Sequence, residues 1–247
     1  MLDHGFLFSG RSQYFKKSGY EPYQTSLVIE LLSRVSIFVN VGAHHGYYCC
    51  LALSRDIPTI AFEPHPINAA MLKKHINANC FAESLTLIEA AVGANESRSN
   101  LFGGGFTGSL INIHPNVPIG EFHEVDVVTL NDKVNLNAKA LFVMDIEGFE
   151  LEALKGATKL LVENHYWIIE ILPDHENEVP FSHVFSFMNS YNYTAYGISE
   201  KSLNLYEISL ELAKKIERNQ ERTDCTNFLF VQKNDELITT LSHRVSN

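Results

Sequence analysis

Val39-Asn40-Val41-Gly42-Ala43-His44-His45-Gly46-Tyr47-Tyr48 is the stretch whose reading decides the fold. The apolar run from Ser36 to Val41 has the length and β-branched content of a buried strand, Gly42 to Gly46 supplies turn chemistry, and the residues from Tyr47 to Ser54 suit a helix. A strand, tight loop and helix in that order leave the first backbone N–H groups of the helix without intrahelical partners. An anionic or polar ligand is favoured there. The glycine spacing is GxxxG and not GxGxxG, which disfavours a nicotinamide oxidoreductase.

Working outward, Leu27, Val28, Leu31 and Leu32 recur at helical spacing behind Pro22 and predict a helix over 23–34. Residues 1–22 lack such periodicity and read as an N-terminal arm. Downstream, strands are expected at 58–62, 84–89, 140–144 and 166–171, with helices at 68–79, after Gly148, and at 179–190. Ala90 to Gly93 leads away from the third strand. Extended segments at 100–102, 110–113 and 124–128 follow, joined by glycine and asparagine turns, and Thr129 caps a short helical turn. Late strands at 193–198 and 227–232 are separated by an irregular part and a charged helix near 210–218. Strands alternating with helices predict an α/β fold with a mostly parallel sheet, and the last pair predicts an antiparallel edge. No linker breaks 23–247, so one domain behind the arm is expected.

Composition narrows the function. Apolar residues make up 45% of the 247, which excludes disorder as the main state. A formal charge of -10 argues against a nucleic-acid partner, because phosphate-backbone binding needs basic surface. No apolar run reaches the roughly 18 to 20 residues of a membrane span, and the first residues lack a signal pattern, so a cytoplasmic protein is expected. Cys49, Cys50, Cys80 and Cys225 form no CxxC and read as reduced core thiols. His44, His45, His65 and His75 show neither HExxH nor His-x3-His spacing, so no metal site is expected. His44 and His45 lie in the glycine loop, where side chains reach a ligand.

In an open α/β sheet the ligand lies outside the carboxyl ends of the strands. Three carboxylates fall at such ends: Glu63, Asp145 and Glu170. Glu63 stands twenty-one residues after Gly42, where an acid can accept both hydroxyl protons of a ribose; its alternative role is to cap the next helix through the His65-Pro66 turn. Asp145 and Glu147 share one side of an extended segment if the strand continues that far, and such a pair can orient a substrate, hold a metal or accept a proton. Otherwise Asp145 is an N-cap and Glu147 a first-turn acid.

Taken in order, VNVGAHHGYY (39–48), AFEPHPIN (61–68), TLND (129–132), FVMDIEGFELEALKGATKLL (142–161) and IIEI (168–171) resemble the FkbM-type S-adenosylmethionine-dependent methyltransferases. The resemblance covers about residues 23–196 and is most specific in AFEPHP and DIEGFELEALKGA. It implies a Rossmann-like class I methyltransferase fold, with a seven-stranded mostly parallel sheet, an antiparallel edge strand and helices on both faces. It also implies S-adenosyl-L-methionine as cofactor and O-methylation of a sugar or other small hydroxylated metabolite as the reaction. Carried over, Gly42, Ala43 and Gly46 surround the methionine part with Asn40 and His44 beside them, Glu63 holds the ribose, and Ala91 lies near the adenine. Asp145 and Glu147 face the methyl-transfer centre, and Glu170 is a further candidate base. Asn40 stands where the family usually has Asp, His44 where it usually has Asn, and Met144 where Lys is frequent. Asn40 and His44 favour the alternative, a non-catalytic S-adenosylmethionine- or nucleoside-binding protein that retains the fold. The stretch 101–123 is expected to be an acceptor wall, a lid or a plain surface loop.

Overall fold

Short runs of apolar residues, buried on both faces, build the centre of the molecule, as a parallel sheet covered by helices requires. The computed structural model describes residues 4–9, 19–102, 110, 122–172, 180–199, 201–241 and 244–245. The first half runs α1 (Pro22–Leu32), β1 (Ile37–Val41), α2 (Tyr47–Leu53), β2 (Thr59–Phe62), α3 (Pro66–Ala78) and β3 (Leu85–Ile88). Then come β4 (Ala91–Val92), β5 (Ser97–Phe102), β6 (Phe122–Val128) and α4 (Leu130–Lys133). The second half runs β7 (Ala140–Met144), α5 (Glu150–Lys155), α6 (Thr158–Leu161), β8 (Tyr166–Glu170), α7 (Phe181–Ser190) and β9 (Tyr193–Ile198). It closes with β10 (Leu205–Ile208), α8 (Leu210–Glu217), β11 (Asn227–Gln232) and α9 (Leu237–Thr240).

Eight strands form the main sheet in the order β10-β9-β11-β8-β7-β1-β2-β3, and β4, β6 and β5 form a separate small one. The pairs from β3 through β8 are parallel, whereas β11 runs antiparallel to both β8 and β9. Alternate side chains feed two cores. Val39, Phe142, Trp167 and Phe228 pack under α5 to α8, and Phe38, Leu141, Ile168 and Leu229 pack under α1 and α2. Phe142 and Trp167 stack at 3.9 Å between ring centres, across neighbouring strands.

Several expectations need correction. The main sheet has eight strands, because the part read as irregular after Ile198 turns back as β10. β10, and not the 193–198/227–232 pair, is the antiparallel edge; β11 lies inside the sheet between β8 and β9. Nor does the strand continue through Asp145. It ends at Met144, and Glu147 and Gly148 turn at φ 55° and 96°, so Asp145 follows the strand end directly and Glu147 stands in the turn beyond it. The N-cap of α5 is Phe149, and Glu150 holds the turn by accepting from Gly148 N at 3.0 Å and Ile146 N at 3.3 Å. Thr129 does cap α4, through Asp132 N. Of the thiols, Cys80 is exposed and the other three are buried. Among the described residues no helix is long and apolar enough to cross a membrane.

The N-terminal arm contributes packing. Phe6 and Phe8 meet the Tyr47 ring at 5.6 and 5.5 Å, and Leu7 exchanges two backbone hydrogen bonds with the Asn79 amide.

Candidate functional site

Strand order reverses between β1 and β7, since β1 leads outward to β2 and β3 while β7 returns to its other side. The crevice outside that reversal is where open α/β sheets bind ligands. The register brings the strand ends level: Val41 pairs with Phe62 on one side and Met144 on the other. The ladder runs on past these ends. Gly42 N and Ala43 N donate to Phe62 O, Asp145 N donates to Val41 O, and Glu63 N donates to Ile88 O.

Gly42 has φ 81°, and a Cβ on it would lie 1.8 Å from the Asp145 carbonyl oxygen. Only glycine lets the loop after β1 lie directly on the loop after β7. Gly46, at φ 83°, is the N-cap of α2 and sits on Leu72 of α3, where a Cβ would meet Cγ at 2.7 Å. His44 also has positive φ, 49°.

A cavity of ≈ 480 Å³ opens at these loops. Its wall contains Asn40, Gly42, Ala43, His44, Glu63, Ala91, Asp145, Glu147 and Glu170; Gly46 is not part of it. Sequence reasoning missed several other wall residues. Phe8, Tyr20, Glu21 and Gln24 come from the arm and α1, and Asn68 comes from α3. No periodicity or motif marks the first four. Asn68 carried a signal in AFEPHPIN, because it lies one turn after the His65 cap on the face toward Glu63.

Glu63 is buried and accepts from His44 N at 2.6 Å, His65 N at 2.9 Å and Asn68 Nδ2 at 3.4 Å. Burial pushes its carboxyl above the usual range, and these donors pull it back. Both roles weighed for Glu63 thus meet in one carboxylate: it ties the glycine loop to the start of α3 and also faces the cavity. Three of its roughly four lone-pair positions are used. Beside it, the buried Asn68 Oδ1 has no hydrogen-bond partner of good geometry, with the His45 ring as its neighbour.

Asn40 is fixed by the protein. Its Nδ2 donates to Val143 O at 3.3 Å, and its Oδ1 accepts from Cys49 Sγ at 3.4 Å.

At the β7 and β8 ends the carboxylates crowd. Asp145 and Glu170 are hydrogen-bonded to each other and both titrate high, through burial first; the Asp145 charge raises Glu170 further, and the pair shares a proton. Glu147, half-buried beside them, is pushed up to about 7 by burial and then by Asp145. Glu21 accepts from Tyr48 Oη at 2.7 Å and Gln24 Nε2 at 3.2 Å. No lysine or arginine among the described residues lines the cavity, and no group of three or more His, Cys, Asp or Glu among them is arranged to hold a metal. Such a wall accepts hydrogen bonds and favours ligands that donate them or carry positive charge. Most of the 101–123 stretch lies outside the described residues; Leu101 and Leu110 belong to the wall.

No curated protein matches the chain in sequence. Among solved structures it is similar to the methyltransferase FkbM from Methylobacillus flagellatus KT, at 18% identity and a TM-score of 0.50, covering 79% of this chain and 43% of that one. The chain therefore spans less than half the length of that protein. It is also similar to a precorrin-6y C5,15-methyltransferase from Geobacter metallireducens GS-15, at 11% identity and a TM-score of 0.49 over 94% of this chain and 96% of that one. A third similar structure is the O-methyltransferase from Bacillus cereus in complex with SAH, at 10% identity and a TM-score of 0.47 over 90% and 86%. Identities this low speak to the fold alone. The model of the methyltransferase FkbM domain matches residues 40–195, from the amide at the end of β1 into β9. By that match over more than half its length, the chain belongs to the FkbM methyltransferase family.

Proposed function

We propose that this protein is an S-adenosyl-L-methionine-dependent methyltransferase that methylates a hydroxyl of a sugar or other small hydroxylated metabolite. The observation that carries the proposal is one cavity in which the glycine loop, Glu63 and the Asp145–Glu147 turn converge at the strand-order reversal of an FkbM-family chain. The cofactor, when bound, supplies a methyl group on a positively charged sulfur. The wall suits it: Gly42, Ala43 and His44 offer a close backbone approach, and the spare lone pair of Glu63 offers an acceptor for a ribose hydroxyl. Ala91 and Val92 supply an apolar face for the adenine. Asn40, committed to Val143 and Cys49, shapes the loop and carries no charge to the ligand.

Glu147 is the base. Its pKa near 7 matches it to taking up the hydroxyl proton at neutral pH, and its turn places it in the wall next to Asp145. The Asp145–Glu170 pair, holding one proton between them, fixes the orientation of the Asp145 carboxylate and keeps negative charge facing the cavity. Positioning the acceptor oxygen in line with the methyl carbon supplies much of the rate.

Glu147→Gln is expected to leave S-adenosylhomocysteine binding intact by calorimetry and to lower turnover about 10²- to 10⁴-fold. The wild-type rate should rise as pH passes about 7, where Glu147 loses its proton, and that limb should vanish in the variant. Unchanged turnover in both Glu147→Gln and Asp145→Asn would refute the assignment. The neutral Asn40 favours a second reading, a binding protein without turnover; tight binding of both cofactor forms with no methyl transfer to any hydroxylated compound would identify it.

A further inference from the structure

The turn that carries Glu147 is held from behind by one atom. Glu150 Oε1 accepts from Ile146 N at 3.3 Å and from Gly148 N at 3.0 Å, so a single carboxyl oxygen takes the backbone N–H groups on both sides of Glu147. Glu147 needs such a hold. It is a non-glycine residue at φ 55°, a strained left-handed conformation that persists only where its surroundings fix it. The far side of the turn is closed by the glycine loop: a Cβ on Gly42 would lie 1.8 Å from the Asp145 carbonyl oxygen and 3.0 Å from Ile146 Cγ2.

Glu147 belongs to the cavity wall and Glu150 does not. Glu150 is buried at the start of α5, beside a hollow of ≈ 10 Å³ bounded by Leu151, Ile171, Phe181 and Val184, which has room for about one water. Burial lifts its carboxyl to about 7; the N–H groups of Glu150 itself, Gly148 and Ile146 oppose that lift, and the Asp145 charge adds to it. An acid here has an ordinary role, as a first-turn residue favoured by the helix N-terminus. That role needs its charge. Reaching Ile146 N and Gly148 N with one oxygen needs its length.

We propose that Glu150 is a positioning residue for the base: its carboxyl oxygen clasps the turn on both sides of Glu147 and so keeps the Glu147 carboxyl in the cavity wall next to Asp145. This rests on the methyltransferase reading, which makes Glu147 the base. Burial first, and then the Asp145 charge, hold Glu147 near 7, and both depend on where the turn stands. With the clasp gone, the backbone at Glu147 relaxes, its side chain reaches water, and its titration falls toward the ordinary 4.5. The base is then ionised but out of place.

The test is an NMR titration of the labelled Glu147 carboxyl carbon, identified by its loss in Glu147→Gln, on the full chain. Glu150→Gln keeps the reach and an acceptor oxygen without the charge; Glu150→Asp keeps the charge and loses the reach. The midpoint is expected near 7 in the wild type, within about 0.5 of that in Glu150→Gln, and at least about one pH unit lower in Glu150→Asp. A wild-type midpoint near 4.5, or a displacement in Glu150→Gln equal to or larger than that in Glu150→Asp, overturns the proposal. Hydrogen exchange on the wild type needs no variant: Ile146 and Gly148 N–H should exchange at least about tenfold more slowly than unprotected amides, and unprotected rates at both overturn the clasp. Calorimetry with S-adenosylhomocysteine keeps the two readings apart. If the wild type fails to bind it, the methyltransferase reading falls, while the clasp still stands or falls on the titration and the exchange.

Discussion

The two ends of the cavity use the same residue types to opposite effect. At the β1/β2 end, the Glu63 carboxylate is surrounded by donors from the glycine loop and α3. At the β7/β8 end, Asp145, Glu147 and Glu170 lie together, and burial, followed for Glu147 and Glu170 by the Asp145 charge, keeps protons on at pH values where isolated acids have lost them. A satisfied carboxylate holds a shape; crowded carboxylates hold a chemical demand that a ligand can meet. The contrast explains why shape and reactivity can sit a few residues apart on one sheet edge, and each half can be disturbed separately.

The largest effect is expected where the halves touch. Gly42→Ala puts a methyl group 1.8 Å from the Asp145 carbonyl oxygen at a positive φ, so it should cost roughly 3 kcal/mol or more in urea unfolding and displace both loops. Gly46→Ala, facing the flexible Leu72 side chain, should cost about 1 to 2 kcal/mol. If the two cost the same, the direct seating of one loop on the other is not what glycine is there for. Glu63→Gln loses a charge-assisted acceptor for three donors and should cost about 1.5–3 kcal/mol of stability while weakening S-adenosylhomocysteine about tenfold or more.

The crowded end should show itself in the pH dependence of stability. Glu147 and Glu150 titrate near 7 in the folded protein against an ordinary 4.5. Below 4.5 both states hold these protons; between 4.5 and about 7 only the folded state does, so stability falls as pH rises through that window and levels off above it. A decline of several kcal/mol is expected by urea titration, about 1.4 kcal/mol per pH unit for each group, with a shallower slope in Glu147→Gln. A slope of the opposite sign would mean that these carboxylates have cationic partners. The smallest effect is expected at the exposed Lys73–Glu89 pair beyond β3, where Glu89→Gln should shift stability by under about 0.5 kcal/mol.

What was legible in the sequence follows the range of the forces involved. ALFVM and YWIIE announce β7 and β8 because central parallel strands are apolar on both faces. LYEI passed as irregular because an edge strand buries only its ends, Leu205 and Ile208. The place of β11 between β8 and β9 is a fact about partners far apart in the chain, which no local pattern encodes. Glu63, Asp145 and Glu170 were legible as acids at strand ends; Tyr20, Glu21 and Gln24 were not, since they reach the wall only once α1 has packed on α2. Gly46 was legible as a glycine that matters but not for what, because Leu72 lies twenty-six residues on. The Asp145–Glu147 pair looked like a strand or a cap. It is a turn whose geometry depends on Glu150 and on Gly148 at positive φ.

The insertion of β11 has a consequence in time. Synthesis runs from β8 toward β11, so residues 227–232 emerge only after β8, β9 and β10. Until they arrive, the outer edge of β8, carrying Trp167, Ile168 and Ile169, has no strand beside it, and the β9–β10 hairpin has nothing to dock on. An open, apolar strand edge is a template for pairing with other chains. The nascent protein thus carries this open edge for about sixty residues of synthesis, and any truncation before Asn227 makes that passing state permanent.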